Sequence, residues 1–137
     1  MIDMYKSLWH EKIRARNRLI ALAVKVCDDH GVNCVSDIEL CNNAAVVAMM
    51  YDKRCPDETP TKCTINGFYT WPSTFIYLNT DRLLDPNTNS LQMFNSAKST
   101  LLHELAHHIQ YSRHNGALSN PHNRDFWHLY DELLRKY

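Results

Sequence analysis

The sequence predicts an α+β fold, with helices at both ends of the chain and a small sheet of about three strands between them. Two observations carry that expectation. Apolar residues recur at three-, four- and seven-residue spacings near residues 5–30 and again after residue 91, as on the inward faces of helices. Between them lie runs rich in β-branched and aromatic residues, which favour strands. The chain has 137 residues, of which 45% are hydrophobic. That suits one domain spanning 1–137, able to bury about two thirds of its unfolded surface.

The first helix is expected over residues 5–30. Trp9, Ile13, Ile20, Val24 and Cys27 are taken as its apolar stripe, and Gly31 as its stop. The apolar run 44–51 fits a buried strand or a helix; a strand ending near Lys53 is favoured, because turn residues follow at once. Residues 64–71 and 73–78 read as two further strands separated at Pro72, which cannot donate to a ladder. The stretch 85–90 reads as a loop and helix start. A long helix over 91–113 follows, with Phe94, Ala97, Leu101, Leu105 and Ile109 facing the core and Gly116 closing it. Asn120 and Pro121 read as the cap and first residue of a last helix, with Phe126, Tyr130, Leu133 and Leu134 spaced for burial.

Lysine and arginine total 15, as do aspartate and glutamate, so net charge gives no general pull toward nucleic acid or an anionic membrane. The local cluster Lys12, Arg14, Arg16 and Arg18 reads first as a solvated helix face. Any DNA contact through these four residues is expected to be weak and salt-sensitive. No apolar run is long enough to span a bilayer, and the start does not look like a secretory signal, so an intracellular protein is expected, cytoplasmic or nuclear. The five cysteines form no C-x-x-C pair and read as buried or half-buried thiols, with Cys55 and Cys63 placed to pair across a turn-rich segment.

The chemistry concentrates in His103-Glu104-Leu105-Ala106-His107. Histidines four apart project from one helix face, one turn apart, and can share a metal ion. Glu104 sits beside the first and can serve as the base for a water at the metal. On residue frequencies alone the pattern arises by chance in about 2% of such chains, before a helix is required. A catalytic zinc usually takes a third protein ligand. His108 is turned about 100° from His107 and is expected in a supporting or solvent-facing role. The metzincin spacing is excluded, because its places hold Gln110 and Arg113. His114 and His122 remain, with Asp125, Asp131 and Glu132 as carboxylate options.

From Leu101 to Leu134 the chain resembles the SprT-like family, which includes the Spartan proteases. His103 to His108 is similar to that family's active-site helix. Pro121-His122-Asn123-Arg124-Asp125-Phe126 is similar to its third-ligand segment, where a histidine precedes a phenylalanine by four residues. Residues 74–84 loosely resemble the strand and turn that lead into the active helix. Two departures stand out: Asn123 replaces a frequent glycine, and the sequence shows no zinc ribbon. The resemblance implies a minimal zincin-like fold with an N-terminal helix, a small sheet, the H-E-x-x-H helix and a closing helix. It also implies Zn2+ on His103, His107 and His122, with Glu104 as catalytic base. Reach agrees with that third ligand, since an unbroken helix would carry His114 about 10 Å past His107.

The expected activity is therefore zinc-dependent hydrolysis of peptide bonds in a protein or peptide substrate, docked along a sheet edge near residues 75–78. The rivals are a zinc-holding module that binds protein or DNA with little turnover, and a zinc that only clips two helices together.

Overall fold

The computed structural model describes residues 2–42, 66–80 and 90–137. The strand expected over 44–51, the Cys55–Cys63 pairing and the turn at 85–89 lie outside the described residues, as does the side chain of Trp9.

The described chain runs α1 (Ile2–Asp29), β1 (Asp37–Cys41), β2 (Gly67–Thr70), β3 (Phe75–Asn79), α2 (Ser90–Arg113) and α3 (Arg124–Lys136). This is an α+β arrangement of three helices and a three-stranded mixed sheet.

Helix α1 differs from expectation in the face it buries. Ala15, Leu19, Ala23, Val26 and Cys27 are buried, whereas Ile13 and Val24 of the expected stripe are exposed. The helix is apolar over a wide arc, so periodicity allows either face. The buried one is rich in alanine, and small side chains let two helices approach closely. It packs into the same core as Ala97, Leu101, Leu102, Leu105 and Ile109 of α2. Those α2 residues match the expected core face, with Phe94 half-buried at its edge. His30 and Gly31 end α1, with Gly31 at φ +66°.

The sheet order is β1-β3-β2, with β1 parallel and β2 antiparallel to β3. Strand β1 was not expected from the sequence. It is five residues long, and only Ile38 is fully buried. It is held by a tertiary contact: Arg16 of α1 donates to Ile38 O at 3.0 Å and pairs with Asp37 at 2.8 Å. Strand β3 is the centre of the sheet and not an edge, which corrects the expectation that residues 75–78 would be free to pair with a substrate. Its backbone is already committed on both sides. Strand β2 is buried at every position.

Trp71 to Thr74 form the turn joining β2 to β3, with a cis bond before Pro72. Thr74 holds φ +58°, uncommon for a β-branched residue, and its hydroxyl group bonds both the backbone and the side chain of Ser36. Cys27 is buried and Cys41 half-buried, as expected of free thiols, but Cys34 is exposed. Burial pushes the Cys27 thiol up to about 12. Among the described residues, no helix is long and apolar enough to cross a membrane.

Candidate metal centre

Helix α2 carries His103, Glu104 and His107 on one uninterrupted run, so one turn of helix sets their relation. The chain then reverses. Asn115 at φ +52° and Gly116 at φ +79° close α2, and Gly116 N donates to Tyr111 O at 2.8 Å. A Cβ at Gly116 would run into the Trp71 indole, so glycine lets the returning loop lie against the β2–β3 turn.

The return ends at His122, held between two asparagines. Asn120 Oδ1 accepts from His122 N at 3.2 Å, and Asn123 Oδ1 accepts from Phe126 N at 2.9 Å. Asn123 is therefore the N-cap of α3, and the helix starts at Arg124. This corrects the expected start at Asn120 and Pro121: His122 lies in the turn before the helix, not in its first turn. Both asparagines can cap. Phe126 decides between them, because capping at Asn123 seats this fully buried ring against the histidines.

His103, His107 and His122 converge. One ligand atom from each lies within 4.8 Å of the others, and His107 Nε2 is 3.1 Å from His122 Nε2. Nitrogens bound tetrahedrally at about 2.0–2.1 Å would sit about 3.3 Å apart, so the His107–His122 spacing fits two ligands of a shared ion. Three imidazoles are a donor set that first-row metals accept, and together they can hold one metal ion.

Aromatic packing fixes the three rings. Phe126 stacks on His107 at 4.4 Å and meets His103 at 4.9 Å and His122 at 5.1 Å. Trp127, half exposed, stacks on His122 at 5.9 Å, and Tyr130 meets His103 edge-on at 5.2 Å.

Glu104 is buried at the foot of an open cleft of about 280 Å³, which it lines with His103, Asn66, Gly67, Ser99, Thr100 and Tyr130. Burial first, and then the nearby Glu104, raise the Tyr130 phenol above its ordinary range.

The alternative ligands fall away from the centre. His114 is exposed past the end of α2, and Asp125, Asp131 and Glu132 are exposed on α3, where Asp131 pairs with Arg135. His108 is not solvent-facing. It is buried, and its Nε2 donates to Asn33 O at 2.6 Å, so in the neutral ring Nδ1 accepts from Tyr69 OH at 2.8 Å. Burial holds its pKa below the ordinary histidine value. This contact ties α2 to the α1–β1 connection and to β2. Tyr69 and Asn33 gave no sign in the sequence, because the contacts span 39 and 75 residues. Tyr130, spaced for the core, also lines the cleft; its i+4 relation to Phe126 is the signal in the sequence that it faces the site.

No family model, curated protein or solved structure matches this chain.

Proposed function

We propose that the chain is a zinc-dependent peptidase of the SprT-like type, with His103, His107 and His122 holding the ion and Glu104 as general base and acid. One observation carries the reading: three converging imidazoles stand beside a buried carboxylate at the wall of an open cleft. Three protein ligands suit a catalytic zinc site, whereas a purely structural site is closed by four. Zinc, when bound, polarises a carbonyl and brings the pKa of a water to about 7.

The chain's own groups do the rest. Glu104 accepts the proton of the attacking water and returns it to the leaving amine. Phe126 keeps one side of the site dry and holds the imidazoles in place. The cleft gives a backbone carbonyl a route to Glu104 past Asn66 and Gly67, at the start of β2.

A protein or peptide substrate fits the charge distribution better than DNA. Arg16 is engaged by Asp37 and Ile38. At about 100° per residue, Lys12 and Arg16 point to the opposite side of α1 from Arg14 and Arg18, so the four basic residues make no single patch. The resemblance of 101–134 to the SprT-like family supports the same reading.

The test is elemental analysis of the purified chain, joined to cleavage of denatured casein with and without DNA. One zinc per chain and chelator-sensitive cleavage are expected. A chain that purifies without zinc under non-chelating conditions overturns the proposal.

A further inference from the structure

We infer that Tyr130 is a further catalytic residue, whose phenol donates a hydrogen bond to the oxyanion formed when water adds to the substrate carbonyl; this rests on the peptidase reading above. Helix α3 presents Phe126 to the three histidines and, one turn later, Tyr130 to the cleft. The Tyr130 ring meets His103 edge-on at 5.2 Å and stacks on Phe126 at 6.1 Å, so its direction is set by packing. Its hydroxyl group donates across the cleft to Ser99 O at 3.1 Å. That acceptor is an exposed helix carbonyl, which water can satisfy when the hydroxyl group turns to another partner.

The other described hydroxyl groups lining the cleft, those of Ser99 and Thr100, come from α2 itself, one turn before His103. Tyr130 alone among the described lining residues reaches in from α3, into the same cleft that the Glu104 carboxylate lines from α2. A donor held in place before the reaction stabilises developing charge without reorganising.

The step balances. The water oxygen bonds to the carbonyl carbon, the π pair moves onto the carbonyl oxygen, and Glu104 takes the water's proton. Collapse restores the C=O bond and breaks the C–N bond, and the amine leaves with the proton from Glu104. Tyr130 donates a hydrogen bond throughout and keeps its own proton.

The experiment compares the full chain with Tyr130→Phe on an internally quenched peptide built from a site that the wild type cleaves in casein. A phosphinic analogue of that peptide and the product peptide serve as binding probes. The variant should lose about a hundredfold in kcat, with KM and zinc content unchanged. Affinity for the tetrahedral phosphinic analogue should fall in parallel, while product affinity stays. If kcat stays within about threefold of wild type, Tyr130 is no donor to the transition state. If zinc content, product affinity and kcat all fall together, Tyr130 only tethers α3 to α2, and the inference is overturned. A zinc-loaded wild type that cleaves nothing overturns the peptidase reading itself, and the role of Tyr130 with it.

Discussion

His103 and His107 are neighbours because a helix repeats every 3.6 residues, and Glu104 lines the cleft beside them without belonging to the three-histidine cluster. Glu104→Gln keeps shape and hydrogen-bonding capacity but cannot take a proton. It should retain zinc, by elemental analysis, and lose at least about a hundredfold in peptide hydrolysis. Unchanged turnover would remove Glu104 from the mechanism. The two candidate third ligands separate as sharply: His122→Ala should lose zinc in a competition titration, and His114→Ala should keep it, because His114 is exposed beyond the helix end.

Protonation of two other histidines affects the fold. The pKa values of His30 and His108 are both held below the ordinary 6.5, with burial the largest cause. As pH falls, the unfolded chain takes up these protons before the folded one does. The stability they contribute is therefore intact above about pH 6.5 and is lost as pH drops through the lower folded values. Urea unfolding of the chelator-treated chain between pH 8 and 5 should show falling stability on the acid side. A flat profile would mean that neither ring is held neutral.

At the scale of elements, the position of His122 depends on where α3 begins. Asn123 caps that helix through Phe126 N. Asn123→Ala should cost about 1 kcal/mol of stability by denaturant titration. It should also weaken zinc binding, because the turn that carries His122 loses its anchor. An equal loss of stability with undiminished zinc affinity would show that Asn120 alone holds the turn. Helix α2 needs its opposite face as well: Leu101, Leu105 and Ile109 are fully buried against α1 and the sheet. Leu105→Ala opens a cavity in that core, with an expected loss of about 2–5 kcal/mol. This face was readable from spacing alone. The face of α1 was not, because alanines made the buried side look less hydrophobic than the exposed Ile13 and Val24.

Across the whole molecule, a metal held by His103, His107 and His122 would join α2 to the start of α3, closing the ten-residue-scale return between them. A ligand that binds only the folded chain adds stability by mass action, about 2.7 kcal/mol at a hundred times its dissociation constant. Chelation should therefore lower the melting temperature, and added zinc should restore it in a concentration-dependent way. A melting temperature indifferent to both would argue against an ion at this centre. Any retention of DNA should vanish on a fourfold rise in salt, since the basic residues of α1 are split between two faces.

By itself the sequence determined what short-range geometry controls: the helices at both ends, the core face of α2, the shared face of His103 and His107, and the turn at Gly116. These follow from helical period and backbone preference, which depend on residues a few positions apart. The tertiary structure decided the rest. It brought His122 within 3.1 Å of His107, buried His108 against Asn33 and Tyr69, made β3 central and inserted β1 beside it. Strand order is set by backbone hydrogen bonds that are nearly blind to side-chain identity. The contacts that bring His122 to His103 and His107 come from residues whose separation in sequence carries no period. Only packing α3 through Phe126 onto α2 chose one arrangement among those the local signals allowed.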